Sequence, residues 1–324
     1  MKKRVFSGAR PTGRLHIGNY LGAIQNWVAL QDEFDCIYCA VDIHALTSLG
    51  DTGQLQYYIR EMFLDWLAAG LDPEKSTLFV QSHVPEVTEL HTLLSMVTPL
   101  GWLLRVPTFK EKVRQQPENV NYGLVGYPVL QTADIVLYKA EVVPVGEDQL
   151  PHLELAREIV RRFNLRYGET FLEPQARLTQ FPVVVGLDGR EKMGKSADNT
   201  IAIGATAEET LQKVMTAVTD PARRYRHDPG HPEVCNVFSL HRYFTAAETD
   251  RIAEDCRTAR IGCVDCKRLL AEGINTALAP LRQRRAELGR QPEYLKKVMA
   301  RGAEKARQMA RPTLHQAKAN MGLL

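Results

Sequence analysis

The first half of the chain alternates short apolar runs with longer stretches in which apolar residues recur every three or four positions. Short runs of this kind predict buried strands, and the longer stretches predict amphipathic helices. The predicted strands cover residues 4–9, 36–41 and 77–81. The predicted helices cover residues 17–31, 52–69 and 86–97. Such alternation with short connections is typical of an α/β fold, here a Rossmann-like parallel sheet covered by helices.

The pattern changes after about residue 205, where strand-like runs stop. Helices are predicted over 208–218, 246–256, 266–279 and 294–309. We therefore predict a Rossmann-like catalytic domain over residues 1–200 and an α-helical domain over residues 201–324. A chain of 324 residues is long enough for two domains, each with its own core.

Polar residues are expected to gather at one edge of the predicted sheet. Ligands of open α/β sheets bind at the carboxyl ends of the strands. Ser7 and Gly8 lie at the carboxyl end of the first strand, Asp42 and His44 at that of the second, and Gln81 and Ser82 at that of the third. We expect a binding site where these residues meet.

The amino-acid composition indicates the broad class of the protein. A hydrophobic fraction of 44% and a charged fraction of 24% are ordinary for a soluble globular protein. The chain has no apolar run long enough for a signal peptide or a membrane span, and its six cysteines carry no secretion signal, so we expect a cytoplasmic protein.

The positive charge is concentrated at the carboxyl end. The formal net charge is only +3, but residues 281–324 hold 11 Lys or Arg against 3 Asp or Glu. This excess suits a polyanionic partner such as a nucleic acid. A solvated helical surface explains it equally well.

Two segments have the chemistry of phosphate binding. In the first, the predicted strand 4–9 leads through a Pro/Gly-rich turn to HIGN at 16–19, where a helix begins. Gly8 and Gly18 allow a nucleotide to lie against the backbone, and the helix start offers free N–H groups. His16 and Asn19 add neutral donors. Turns of this kind are common, so this segment alone is weak evidence.

The second segment is a loop that contains KMGKS at 192–196. Lys192 and Lys195 could close over a polyphosphate and neutralise the charge that develops as pyrophosphate leaves. Loops rich in Gly and Lys are usually solvated surface. Both segments in one chain, around one predicted α/β domain, favour a nucleotide site.

Together the two segments resemble the HIGH and KMSKS signatures of class I aminoacyl-tRNA synthetases. Asn19 stands where the last His of the first signature often is, and it still donates a hydrogen bond. Gly194 replaces the middle Ser of the second signature, which removes a hydroxyl and loosens the loop. The two lysines that carry the charge remain.

The middle of the chain narrows the resemblance. The segments YPVLQTADI at 127–135, VPVGEDQ at 143–149 and HLELAR at 152–157 are similar to the tryptophanyl-tRNA synthetases, and the similarity spans nearly the whole chain. It implies that Asp134 accepts the indole N–H of tryptophan, which suits a nitrogen that only donates. A tyrosine hydroxyl could also donate to Asp134, so tyrosine stays the alternative amino acid.

The resemblance implies a role for further residues. The tryptophan pocket would contain Phe6, Gly8, His44, Gln131, Asp134 and Gln149. The ATP site would contain Arg10, Pro11, Thr12, Gly18, Asn19, Gly146, Glu147, Asp148, Val184, Lys192, Met193, Gly194, Lys195 and Ser196. The catalytic electrostatics would come from His16, Asn19, Lys112, Lys192 and Lys195. Core packing is a strong alternative for Phe6 and Val184, and His44 could be a satisfied buried histidine.

The same resemblance implies the reaction and its partners. L-Tryptophan is activated by ATP, with Mg²⁺ on the phosphates, to tryptophanyl-adenylate, and tryptophan then passes to tRNA(Trp). It also implies that residues 201–324 bind the tRNA anticodon region and that the chain forms a homodimer. A paralogue that binds these ligands without charging tRNA, and a small-molecule nucleotidylyltransferase, are the alternative functions.

The cysteines form two sets. Cys36 and Cys39 lie three apart in a predicted strand, where their side chains point to opposite faces, so we interpret them as core thiols. The other four have the spacing C-x20-C-x6-C-x2-C, which suits zinc or an iron–sulfur cluster. These are Cys235, Cys256, Cys263 and Cys266. Residues 259–267 resemble the tryptophanyl enzymes that carry a [4Fe–4S] cluster, which favours the cluster over zinc.

Overall fold

A five-stranded parallel sheet forms the centre of the first half of the chain. The computed structural model describes residues 2–115, 117–178, 183–190 and 192–324. The strands are β1 (Arg4–Ala9), β2 (Asp35–Ala40), β3 (Ser76–Val80), β4 (Val142–Val145) and β5 (Gln175–Leu178). Their order across the sheet is β3-β2-β1-β4-β5, and every neighbouring pair is parallel. The predicted α/β fold is confirmed.

Helices cover both faces of this sheet. The first part of the chain contains α1 (Ile17–Asn19), a π-helical turn (Tyr20–Ile24), α2 (Gln25–Leu30), α3 (Asp42–Ala45), α4 (Leu55–Ala69) and α5 (Glu86–Ser95). Next come α6 (Leu100–Leu103), α7 (Pro107–Gln115), α8 (Tyr122–Val136) and α9 (Leu150–Tyr167). The last part contains α10 (Ala207–Thr216), α11 (Asn236–Phe244), α12 (Thr249–Arg257), α13 (Cys263–Gly289) and α14 (Pro292–Asn320).

Two hydrophobic cores lie on the two faces of the sheet. Because successive strand residues point to opposite faces, β2 supplies side chains to both. Cys36 packs in one core and Cys39 in the other. Both thiols are free and buried, as expected for core residues that cannot share a metal.

The C-terminal helices return to the sheet. Helix α13 packs on α4, where Arg285 pairs with Glu61 and with Asp65, the latter at 2.6 Å from Nε to Oδ1. Helix α14 lies directly on the edge strand β3. A Cβ at Gly302 would lie 1.8 Å from the carbonyl oxygen of Leu78, so the close approach requires glycine. The boundary at residue 200 stays a prediction.

Much of the basic C-terminal end is paired within the chain. Arg311 lies 3.2 Å from Glu86, and Lys318 lies 2.7 Å from Glu89, both on α5. Arg301 pairs with Glu74. These contacts neutralise part of the local positive charge, so the excess of lysine and arginine is a weaker argument for a polyanionic partner than the sequence suggests.

Within the described residues, none of the helices has the length and hydropathy that crossing a bilayer requires.

Candidate functional site

The main cavity lies at the carboxyl ends of β1 and β4. The strand order reverses at β1, because the chain passes from β1 to β2 on one side and β4 pairs with β1 on the other. Ligands of open α/β sheets bind at such a switch point. The cavity has a volume of about 370 Å³. Nine residues expected at the site line it: Phe6, Gly8, Arg10, His44, Lys112, Gln131, Asp134, Gly146 and Gln149.

Asp134 forms the polar centre of the cavity's inner wall. It lies on α8 and is 1% exposed. Its Oδ2 is 2.9 Å from Nε2 of His44, and the side-chain amide of Gln81 donates to both carboxylate oxygens at 2.8 and 2.9 Å. Burying a carboxylate without partners is costly, and these donors offset that cost. The expectation that residues at the ends of β2 and β3 meet is confirmed.

Asp42 has a different role at the same sheet edge. Its carboxylate accepts hydrogen bonds from the backbone N–H and the hydroxyl of Ser82, at 2.9 and 2.5 Å. It therefore ties the end of β2 to the end of β3. Neither Asp42 nor Ser82 lines the cavity.

Lys112, on α7, also lines the cavity. Its Nζ lies 4.1 Å from the centre of the Tyr127 ring, in a cation–π contact. Burial, and then the positive charge of Arg10, lowers the pKa of Lys112 to about 8. Thr108 bridges Tyr127 and His152, with oxygen–oxygen and oxygen–nitrogen distances of 2.5 and 2.8 Å. Burial, and then Lys112, lowers the pKa of His152 to about 4, so this imidazole is neutral.

The predicted phosphate turn folds into a capping box. Nδ1 of His16 accepts the backbone N–H of Asn19, and the Asn19 side-chain oxygen accepts the backbone N–H of His16. Burial, and then Lys195, lowers the pKa of His16 to about 4. His16 is therefore neutral near pH 7. Because Nδ1 accepts, Nε2 carries the proton and is a donor, as the sequence predicted.

Lys195 joins the second segment to this turn. Its Nζ donates to the carbonyl oxygen of Gly13 at 2.9 Å. Burial, and then Arg10, lowers the pKa of Lys195 to about 8. The loop is fixed from behind by Asn199, whose side-chain oxygen accepts the backbone N–H of Gly194 at 2.9 Å. Lys192 is exposed.

The remaining predicted site residues lie outside the main cavity. Thr12 and Lys195 line a second cavity of about 630 Å³. Val184 is buried beside Met193 in a hydrophobic core, the alternative weighed for it. Glu147 and Asp148 are exposed, and Gln149 donates to Asp148 at 2.8 Å. The other residues that do not line the main cavity are Pro11, His16, Gly18, Asn19, Lys192 and Gly194. The side chain of Ser196 falls outside the described residues.

Sequence reasoning gave no role to four polar residues of this region: Gln81, Thr108, Tyr127 and His152. All except Gln81 line the cavity, and Gln81 lies behind Asp134. Gln81 was placed at the correct sheet edge by its position after β3. The pairing of Tyr127 with His152 depends on packing between α8 and α9, for which the sequence has no local signal.

The four late cysteines lie in one neighbourhood. Cys235 precedes α11, Cys256 lies on α12, and Cys263 and Cys266 lie in the first turn of α13. Burial, and then the thiols of the other three, raises the pKa of Cys266 to about 12. Across the described part of the chain, no three His, Cys, Asp or Glu side chains are placed to hold a metal ion.

Two basic side chains lie against these thiols. Nη1 of Arg223 is 3.7 Å from Sγ of Cys256. Nε2 of His241 is 3.3 Å from Sγ of Cys266. Both could donate a hydrogen bond to a thiolate.

Comparison with known proteins agrees with the geometry. The family described as tRNA synthetases class I (W and Y) matches residues 1–279. A tryptophan–tRNA ligase of Thermotoga maritima is 46% identical, with 99% of both chains covered. That of Aquifex aeolicus is 41% identical, with 99% of this chain and 100% of the other covered.

A solved structure agrees as well. The tryptophanyl-tRNA synthetase of Campylobacter jejuni, complexed with ADP and tryptophan, has a TM-score of 0.90 and 36% identity to this chain. The superposition covers 99% of this chain and 100% of that one. The chain belongs to the class I tRNA synthetases for tryptophan and tyrosine and, within them, to the tryptophan–tRNA ligases.

Proposed function

We propose that the main cavity is where this tryptophan–tRNA ligase joins tryptophan to the α-phosphate of ATP. The observation that carries the proposal is the chemistry of the cavity lining: one cavity holds a buried acceptor, Asp134, and two cations, Arg10 and Lys112. A substrate pair that brings an N–H donor and a polyphosphate fits this lining. The names of the relatives favour tryptophan over tyrosine.

The tryptophan end of the cavity is formed by β1, α3 and α8. Asp134 accepts the indole N–H and Phe6 packs against the ring. Gly8 lines the same cavity and packs closely on the residue after β2, since a Cβ there would lie 2.9 Å from Val41. Gln131 and Gln149 face the amino acid head group. His44 lines the tryptophan pocket and also holds Asp134, because its Nε2 already bonds the carboxylate.

The ATP site continues beyond the main cavity, along the turn before α1 and the KMGKS segment at 192–196. His16 Nε2–H and the Asn19 amide are neutral donors to phosphate oxygens, and the adenosine lies along Gly18 and Gly146–Asp148. Arg10, Lys112, Lys192 and Lys195 surround the phosphates. Class I synthetases use ATP with Mg²⁺, which arrives on the phosphates and supplies further positive charge.

The reaction needs no general base. A tryptophan carboxylate oxygen attacks the α-phosphorus, the bond to the bridging oxygen breaks, and pyrophosphate leaves with the electron pair. Catalysis then consists of positioning and of electrostatic stabilisation of the leaving charge. Tryptophan passes in a second step to the 3′-terminal adenosine of tRNA(Trp), with loss of AMP. ATP and tRNA place the chain in the cytoplasm.

Tryptophan-dependent ATP–pyrophosphate exchange followed by transfer to tRNA tests this function. Lys195→Ala should slow adenylate formation by about 10²–10³-fold, the usual effect of removing one transition-state donor, while tryptophan binding changes little. Equal losses in both would contradict the assignment of the loop. Exchange without transfer would instead favour the paralogue or the nucleotidylyltransferase.

The four late cysteines hold a [4Fe–4S] cluster in this proposal, with zinc as the alternative. Donor chemistry supports it: four thiols lie in one neighbourhood, and Arg223 lies beside Cys256, where it could stabilise a thiolate. Among the described residues the thiols are not yet placed to hold a metal ion, so binding would draw them together. The cluster would cross-link α11, α12 and α13 in the predicted anticodon-binding region, and no electron transfer would be needed.

Metal analysis after anaerobic purification tests the cluster. A brown protein with four iron and four sulfide per chain is the expected result, and Cys263→Ser should lose the iron. Cys36→Ser, a core thiol on β2, should keep it. A colourless protein with stoichiometric zinc would contradict the proposal.

The chain also pairs with a second copy in this proposal. Three large apolar side chains on or near α6 and at the start of α8 are exposed: Met96 at 67%, Leu100 at 61% and Tyr122 at 70%. Exposed apolar surface marks a protein interface where it forms a patch. Most soluble oligomers are symmetric homodimers, which agrees with the dimer that the resemblance implied.

A further inference from the structure

Gln81 is a buried polar residue that the reaction described above does not use. It follows β3 directly and is 0% exposed. It does not line the cavity, yet its side chain lies between α3 and Asp134 on α8. A buried amide with no contact to a substrate is expected to act through a neighbour.

The hydrogen bonds of Gln81 fix which way its amide points. Its Oε1 accepts the backbone N–H groups of Ile43 and His44, at 3.1 and 3.3 Å. Because the oxygen is held by two donors, the Nε2 end must face the carboxylate of Asp134. It donates there at 2.8 and 2.9 Å.

This contact determines how Asp134 presents its acceptors. A carboxylate has about four lone-pair directions. Among the described residues, Oδ2 accepts from Gln81 and from His44, and Oδ1 accepts from Gln81. One direction on Oδ1 therefore remains for a further donor. The rotation of the carboxylate that leaves this direction open is set by Gln81.

We infer that Gln81 is a positioning residue for amino acid selection: it turns Asp134 so that one oxygen meets the indole N–H of tryptophan. The inference rests on the proposed role of Asp134. Without the amide, the carboxylate keeps His44 as a partner but can rotate, and the acceptor is no longer aimed at the substrate.

An isostere of tryptophan without the N–H donor distinguishes a loss of carboxylate positioning from a general loss of enzyme activity. The substrates are L-tryptophan and 3-(3-benzothienyl)-L-alanine, whose ring sulfur replaces the N–H, and the readout is the ratio of their kcat/KM values in pyrophosphate exchange. In Gln81→Met, kcat/KM for tryptophan should fall about tenfold or more, since a bond to a charged group is lost, and the analogue should change little. The ratio of kcat/KM for tryptophan to kcat/KM for the analogue should therefore fall by the same factor.

Two further variants keep the test decisive if Gln81→Met folds poorly. Gln81→Glu retains an oxygen for the N–H groups of Ile43 and His44 but cannot donate through an amide, so the ratio should narrow in it as well. Gln31→Met is the matched control. Gln31 is also buried, and it bonds Ser76 and Asp72 at the other end of β3, at 3.0 and 2.7 Å. It should lower stability and leave the ratio unchanged.

Asp134→Asn distinguishes failure of this inference from failure of the proposed function. A ratio that collapses in Asp134→Asn but is unaltered in both Gln81 variants would overturn the role of Gln81 and leave Asp134 in place. If the ratio is unaltered in Asp134→Asn, Asp134 does not read the indole N–H, and both conclusions fall together. An equal narrowing in Gln31→Met would also overturn the inference, because it would reflect general loosening of β3.

Discussion

At the scale of single residues, Lys112 and Lys195 share an environment that weakens their hold on a proton. Burial, reinforced by Arg10, lowers the pKa of each to about 8. Lysine is the charged form below its pKa, so both carry charge at pH 7 and lose it as the pH rises through about 8. We predict that kcat/KM for ATP falls over that range, because kcat/KM reports the ionisation of the free enzyme.

Variants that cannot lose the charge check this assignment. The double variant Lys112→Arg with Lys195→Arg should move the descending limb of the pH profile to higher pH even if its absolute rate is lower, because both guanidinium groups stay protonated. Lys110→Arg, on the same helix as Lys112 but facing solvent, should leave the limb in place. A wild-type profile that stays flat to about pH 10, the range of an unperturbed lysine, would contradict the prediction.

Gly194 is the residue by which the second signature departs from its family pattern. Its φ of −144° is extended backbone that any residue adopts, and a Cβ there would meet only the carbonyl oxygen of Lys192, at 3.8 Å. Glycine is therefore not required by the local structure. We predict that Gly194→Ser leaves the free energy of unfolding within about 0.5 kcal/mol and gives an exchange rate equal to or above that of the wild type.

Gly18→Ser is the comparison variant for the predicted effect of Gly194→Ser. A Cβ at Gly18 would lie 3.0 Å from Nδ1 of His16 and 3.2 Å from Met193. Gly18→Ser should displace the His16 donor and slow exchange. A similar loss in Gly194→Ser, measured in the same assay, would show that the loop needs glycine for closure.

Two contacts of single residues show which features of the site could be predicted from the sequence and which could not. The capping of α1 by His16 and Asn19 follows from residues three apart, so it was predictable. The contact of Gln81 with Asp134 joins positions 53 apart and exists only because the tertiary fold brings the residue after β3 to Asp134 on α8. Amide orientation depends on such tertiary contacts. Local pattern placed Gln81 at the right edge but could not give it a partner.

At the scale of elements, strands and helices with a clear hydrophobic pattern in the sequence were predicted correctly. The predicted strand 4–9 coincides with β1, and the predicted helix 52–69 ends where α4 does. Strands β4 and β5 were not predicted. Each has four residues, β4 contains Pro144, and all residues of β5 are exposed, so neither has a clear alternation. They are strands because β4 pairs with the open edge of β1 and β5 then pairs with β4.

The contact of α14 with β3 gives a prediction for one glycine. A Cβ at Gly302 would overlap the backbone of Leu78, which cannot move without disturbing the sheet. Gly302→Ala should lower the free energy of unfolding by about 1–3 kcal/mol, as overpacking does, with little change in the exchange rate of the folded fraction. Denaturant unfolding measures the first and active-site titration the second.

Gly289→Ala, at the end of α13, is the matched control for this contact. A Cβ there meets nothing within 4 Å, so alanine should be neutral or slightly stabilising through its higher helix propensity. If Gly302→Ala behaved like Gly289→Ala, the helix would not lie on β3 as closely as described.

At the scale of the whole molecule, the C-terminal region is tied to the catalytic sheet. Arg285 links α13 to α4, and α14 covers β3, which also carries Gln81 at its end. Residues 201–324 therefore pack against the elements that position Asp134. The four late cysteines lie at the starts of α11 and α13 and on α12. If they hold the proposed metal, its loss is expected to affect the predicted anticodon end first.

The exposed apolar residues on and near α6 predict where two copies of the chain meet in a dimer. Leu100 and Tyr122 expose most of their surface, and a charge placed there should oppose burial against a second copy. We predict that the wild type sediments as a dimer of 36.5 kDa chains and that Leu100→Glu shifts it toward monomer.

Because α8 begins at Tyr122 and carries Asp134, dissociation should also weaken tryptophan binding, which would tie the interface to the site. Leu211→Glu, at a 38% exposed leucine on α10, is the control and should stay dimeric. A dimer that survives Leu100→Glu together with Tyr122→Glu would place the interface elsewhere. A monomeric wild type at micromolar concentration would contradict the proposed dimer itself, and the exposed surface would then need another explanation.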